Sequence, residues 1–168
     1  MSRALAPALA LAVALVLGGC GFHLRGQQTL PFDTLYVPPG SPLSVELKRN
    51  LTAQAKNTKL VDDPKEAQAV LSFTNETREK VILSFDTAGR VREYQLRYTV
   101  GIRLADAKGL VYIPTSQVRL TRDITFNDAE VLAKEAEEAQ LYRDMQSDMV
   151  QQILRRIAAS RTAKPDLD

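Results

Sequence analysis

The stretch Arg92–Leu104, REYQLRYTVGIRL, alternates in character over its whole length. Tyr94, Leu96, Tyr98, Val100, Ile102 and Leu104 fall on one side, with Glu93, Gln95, Arg97, Thr99 and Arg103 on the other. Successive side chains of a strand point to opposite faces, so the pattern predicts a β-strand with one face in a core. At ~3.3 Å per residue it would span roughly 43 Å, well past the usual five or six residues. So long a strand needs equally long neighbours. Leu110–Phe126 supplies one after a turn at Ala107-Lys108-Gly109, with Val118, Leu120, Ile124 and Phe126 inward and Gln117, Arg119, Thr121, Asp123 and Thr125 outward. Within it, Pro114 marks a bulge or an edge position. Upstream, a strand from Ala67 carries Ala69, Leu71 and Phe73 on alternate positions, is interrupted by the polar run Asn75–Lys80, and resumes at Val81, Ile82, Leu83 and Phe85. This reads as one long strand with a bulge or an exposed middle, closed by a hairpin turn at Asp86-Thr87-Ala88-Gly89.

Two helices frame these strands. Ser41 to about Asn57 opens with turn residues, has Pro42 at its first helical position, and repeats Leu43, Leu47 and Leu51 on one stripe. The second starts at Asn127-Asp128-Ala129-Glu130, a capping-box pattern, and runs to about Ala159. Its stripe is Leu132, Ala136, Ala139, Tyr142, Met145, Met149, Ile153 and Ile157. Acids crowd its start and Arg155, Arg156 and Arg161 its end, as the helix dipole favours. At 1.5 Å per residue it measures roughly 48 Å, which matches the strands. A short strand, Asp33–Val37, stops at Pro38-Pro39. The order β-α-β-β-β-α predicts an α+β two-layer sandwich, a four-stranded mixed sheet with two helices on one face, over residues 33–160. Residues 161–168 read as a disordered tail. The second sheet face is polar, and a solvated face and a surface covered by a partner both fit it. The residues alone favour the solvated one.

The N-terminus has Arg3 followed by the apolar run Ala4–Leu17, too short for a stable span of about 20 residues. A basic start, a short apolar core and small residues before a cut site describe a signal peptide, here residues 1–19. Leu17-Gly18-Gly19-Cys20 resembles the lipobox of bacterial lipoproteins. That resemblance implies cleavage before Cys20, an S-diacylglyceryl group on its thiol and an acyl group on its amine. Residues 20–32 then form a lipidated tether. Each buried methylene contributes about 0.8 kcal/mol, so two or more chains anchor stably. Gly21 follows the cysteine where an Asp retains enterobacterial lipoproteins in the inner membrane, which points to the outer membrane.

Composition excludes much chemistry. Removing residues 1–19 takes away only Arg3, leaving the net charge one unit below the +2 of the whole chain. Such balance argues against nucleic acid as a partner. The single cysteine is used by the lipid and the single histidine, His23, lies beside it. No His/Cys metal centre and no Ser-His-Asp or Cys-His nucleophile follows from that inventory. Neither an enzyme nor a resident cofactor is expected.

Cys20-Gly21-Phe22-His23-Leu24-Arg25-Gly26 resembles the mature start of the LptE family of lipopolysaccharide-assembly lipoproteins. Glu93-Tyr94-Gln95-Leu96 after a glycine-containing hairpin, and Phe126-Asn127-Asp128 running into Leu132-Ala133-Lys134, resemble the same family at the right spacing. The resemblance implies a non-enzymatic partner of the LptD β-barrel that plugs the barrel, helps it assemble and assists lipopolysaccharide delivery to the cell surface. It shifts the polar sheet face toward an interface, with Gln95, Arg97, Arg103 and Arg119 as candidates. It also implies lipopolysaccharide contacts at Lys134 and, near the hairpin tip, at Arg90 and Arg92. The alternative is a free-standing lipoprotein that binds or chaperones an amphiphile in the periplasm, which predicts a deep apolar pocket between helices and sheet.

Overall fold

The computed structural model describes residues 29–55 and 57–160; the signal peptide, Cys20 and the expected tail from Arg161 lie outside them. Strand β1 (Thr34–Tyr36) leads to helix α1 (Pro42–Gln54) and strand β2 (Lys59–Val61). Three long strands follow, β3 (Ala69–Phe85), β4 (Val91–Ala105) and β5 (Val111–Thr125), then helix α2 (Val131–Ala159). The sheet order is β2-β1-β3-β4-β5. β1 runs parallel to both its neighbours, while β3, β4 and β5 form an antiparallel meander.

Among the described residues the sheet therefore has five strands rather than the four expected from sequence. Lys59–Val61 is too short to display an alternation, and tertiary pairing makes it a strand. Leu60 lies opposite Leu35, Lys59 N–H donates to the Asp33 carbonyl (2.8 Å), and Thr58 Oγ1 donates to the Phe32 carbonyl (2.6 Å). The folded core also begins earlier than Asp33. Leu30 and Phe32, inside the stretch read as tether, are buried, and the Phe32 ring packs at a tilt against that of Tyr112, 4.7 Å between centroids.

Helix α1 forms where its sequence predicts. Ser41 Oγ accepts the Ser44 N–H at 3.2 Å, capping the first turn. Leu43, Leu47 and Leu51 are buried against the sheet. The helices lie side by side, with the Glu46 carboxylate accepting from Gln146 Nε2 and Ser147 Oγ, both at 2.7 Å.

The polar interruption in β3 is resolved by a bulge. Phe73 faces Ile102 and Asn75 faces Gly101, leaving Thr74 as the extra residue. One extra residue flips every later side chain to the other face. Glu76, Arg78 and Lys80 thus stand opposite Val100, Tyr98 and Leu96, on the helix side of the sheet. A Cβ at Gly101 would run into Thr74 Oγ1 and Asn75 Oδ1, which is why a glycine stands between Thr99 and Arg103 in the polar series of β4. Pro114 of β5 lies at a second register shift and on an edge strand, as expected.

Helix α2 departs from its expected stripe. Its buried residues are Met145, Met149, Val150, Ile153, Leu154 and Ile157, all in the C-terminal half. Leu132, expected on the sheet-facing side, is 82% exposed. Asn127 caps a separate 3-10 turn, Asp128–Glu130, that leads into the helix, its Oδ1 accepting the Ala129 N–H.

Candidate functional site

Three surfaces carry the polar chemistry of the domain. The first is the end where the β3–β4 hairpin meets the start of α2. Gly89 has φ +78° and completes the turn. Asp86 organises it: its carboxylate accepts the N–H groups of Ala88 (2.8 Å) and Arg90 (2.9 Å) and the Arg90 guanidinium Nε (2.9 Å). The Arg90 backbone N–H, above all, holds the Asp86 carboxyl below its ordinary value. Arg92 is exposed and lines a small 110 Å³ hollow with Asp86, Phe126 and Asp128. Lys134, on the first turns of α2, donates to Thr125 Oγ1 (3.1 Å) and Glu137 Oε2 (2.9 Å). Since Phe126 N–H bonds the Arg92 carbonyl (2.8 Å), all three expected cations gather at one end. Arg90 and Lys134 are each paired with an acid.

The second surface is the sheet face turned away from the helices. Gln95, Arg97, Thr99 and Arg103 alternate along β4 with the buried Leu96, Tyr98, Val100, Ile102 and Leu104. Arg97 Nε donates to Gln95 Oε1 (2.9 Å), Gln95 Nε2 to Asp123 Oδ1 (3.1 Å), and Arg119 Nε to Thr99 Oγ1 (3.3 Å). Arg103 stands apart from this network, opposite Ser72. The four candidates share one face, Arg97 and Gln95 in one hydrogen-bonded chain with Asp123, and Arg119 in a separate bond to Thr99.

The third was not singled out from sequence. Among the described residues, β3 has no partner on its outer side past Val70. Arg78 and Lys80 line a 630 Å³ groove along that edge, facing Glu135, Glu138 and Tyr142 of α2. Lys80 pairs with Glu138 at 2.6 Å and stands 4.3 Å over the Tyr94 ring. The Arg78 guanidinium lies 4.9 Å from the Tyr98 ring and 5.5 Å from that of Tyr142. Burial, and then the Glu76 carboxylate that accepts its hydroxyl at 2.6 Å, pushes Tyr98 above its ordinary value. Burial and nearby Glu138 do the same for Tyr142, whose hydroxyl donates to the Glu79 carbonyl at 2.8 Å. The signal available in sequence was the charge run Glu76–Lys80, but its placement depends on the bulge at Thr74.

Among the described residues no three His, Cys, Asp or Glu side chains gather to hold a metal ion. No helix there is long and apolar enough to cross a membrane.

A family model described as LptE, lipopolysaccharide-assembly, matches residues 32–157. The chain belongs to the LptE family. The resemblance read from CGFHLRG is thereby borne out. An LPS-assembly lipoprotein LptE of Photorhabdus laumondii is 29% identical, covering 96% of this chain and 89% of its own. That of Pectobacterium atrosepticum is 33% identical, covering 89% and 82%. Among solved structures, an uncharacterized lipoprotein B from Nitrosomonas europaea superposes with a TM-score of 0.71 at 43% identity, over 83% of this chain and 91% of that one. A minor lipoprotein from Acinetobacter baumannii gives 0.61 at 27% identity, over 77% and 93%. The LptE match covers both the hairpin end and the outer sheet face.

Proposed function

We propose that this LptE-family chain is a non-enzymatic, lipid-anchored protein of the outer membrane that plugs an LptD-like β-barrel, helps it assemble and assists lipopolysaccharide delivery. The observation that carries this reading is the family match over residues 32–157. Two physical features support it. The β3–β5 meander, with strands of 15 to 17 residues, is about 50 Å long at ~3.3 Å per residue, comparable with a bilayer including its headgroups. Its outer face is polar, as the lumen of a membrane barrel is. Gln95, Arg97, Arg103 and Arg119 are the contacts offered to the barrel wall. Cys20, acylated after removal of residues 1–19, holds the chain at the periplasmic leaflet through the tether.

In this reading Lys134, Arg90 and Arg92 contact the phosphates of lipopolysaccharide, and the phosphates displace Glu137 and Asp86 from their cations. The alternative, a free-standing amphiphile carrier, calls for a deep apolar pocket between helices and sheet. Leu43, Leu47, Met145, Met149 and Ile153 fill that space, which speaks against it. The test is co-purification of the tagged protein from detergent-solubilised outer membranes. Recovery of a large β-barrel partner is expected, and a solitary monomer would sink the plug. Lys134→Asp with Arg90→Asp should weaken lipopolysaccharide binding with the fold intact; unchanged binding removes both residues from the claim.

A further inference from the structure

Helix α2 is two different helices in energetic terms. From Met145 onward it is a core element, with six buried residues. From Val131 to Asp144 it has no buried residue at all. Leu141 and Tyr142 pack against the core only in part. The first half is held on the sheet by polar contacts: Lys80–Glu138, Lys134 to Thr125, the Tyr142 hydroxyl on the Glu79 carbonyl, and Arg78 against the Tyr142 ring. Exposed ion pairs of this kind contribute little and are screened by salt.

Beneath this half lies an apolar floor. Leu96 and Tyr98 are fully buried and Ile124 nearly so, and Tyr94 meets Phe126 edge to face at 5.4 Å. The 630 Å³ groove between this half and the edge of β3 that is unpaired among the described residues is lined by Arg78 and Lys80 on the strand side. Closed, those cations face Glu135 and Glu138. If the helix segment departs, both acids leave with it. Arg78 and Lys80 then flank an apolar strip, and Glu76 stays engaged with the Tyr98 hydroxyl.

We propose that residues 131–144 are a separable arm, and that its opening uncovers a slot for the hydrocarbon chain of an anionic amphiphile, with Arg78 and Lys80 binding the charged end. No Gly or Pro interrupts Val131–Ala159, so the arm opens by unwinding rather than at a hinge. A detached helix of this length is marginal in water. The slot goes beyond the reading above, which places the ligand at Arg90, Arg92 and Lys134.

Hydrogen exchange on the full chain tests it, using lysophosphatidylglycerol and, as a zwitterionic control of equal chain length, lysophosphatidylcholine. Without ligand, amides of 131–144 should exchange at least about 100-fold faster than those of 145–159. Equal protection of the two halves would overturn the arm. Lysophosphatidylglycerol, and not the control, should speed exchange in 131–144 further and leave 145–159 unchanged. Arg78→Gln with Lys80→Met should weaken that response by about tenfold, with the protection of 145–159 reporting that the variant is folded. Arg155→Asp, at an exposed position on the core half of the helix, should retain it. A full response in the variant at Arg78 and Lys80 would overturn the slot while leaving the proposed function standing. Repeating the series with lipopolysaccharide identifies the source: a larger response assigns the slot to lipopolysaccharide, a smaller one to phospholipid.

Discussion

Tyr98 shows how much one residue of the long alternating strand does. Its ring is fully buried, its hydroxyl reaches Glu76, and Arg78 covers its face. Burial and the carboxylate keep the phenol protonated above its ordinary value of 10.0. The unfolded chain releases that proton near 10, so the contribution is complete below pH 10 and is lost as pH rises beyond it. Urea unfolding between pH 8 and 11 should show a falling alkaline limb, flattened in part by Tyr98→Phe; Tyr142, shifted the same way, supplies a share of the remainder. At neutral pH Tyr98→Phe should cost about 1 kcal/mol for the lost hydrogen bond. Gly101 offers a second test. Gly101→Ala places a methyl against Thr74 and Asn75 and should cost about 1–3 kcal/mol, as overpacking does. Adding Asn75→Ala should restore part of it, because one of the two colliding groups is then gone. Equal losses in the single and double variants would remove Asn75 from the explanation.

Among the elements, α2 separates what periodicity reveals from what it does not. Its stripe was legible from Leu132 to Ile157, and the half from Met145 onward packs as that stripe requires. The first half follows the same period but faces the polar residues that the β3 bulge turned toward it. Met149→Ala should therefore cost about 2–5 kcal/mol, whereas Leu132→Ser should stay within about 0.5 kcal/mol. Comparable losses in thermal unfolding would contradict the division of the helix. The same physics explains the rest of the legibility. The long strands β4 and β5 and the Ser41-Pro42 helix start were readable because their signals are local. β2 was not, since three residues become a strand only by pairing with β1. The groove at Arg78 and Lys80 was not, since a single extra residue decides which face those side chains join. Cations at the hairpin end were readable as residues, but their acid partners emerged only from the fold.

At the scale of the whole molecule, the helices cover one side of the sheet and leave the other to solvent or to a partner. The hydrogen bonds of Arg97 with Gln95 and of Gln95 with Asp123, and that of Arg119 with Thr99, stabilise a solvated face little, since their groups find water as readily in the unfolded chain. Against a polar wall that excludes water, those same groups become pre-positioned donors, and reversing one leaves a charge without its counterpart. Arg97→Glu with Arg119→Glu, two substitutions at exposed or half-exposed positions, should change thermal stability by no more than about 0.5 kcal/mol per site. If the face meets a barrel lumen, the same pair should sharply reduce recovery of the barrel in co-purification. A control on the helix side, Arg143→Glu, should leave recovery unchanged. The two measurements separate the readings: an unaltered fold with full recovery makes the face merely solvated, and an unaltered fold with lost recovery makes it the surface by which the domain is gripped.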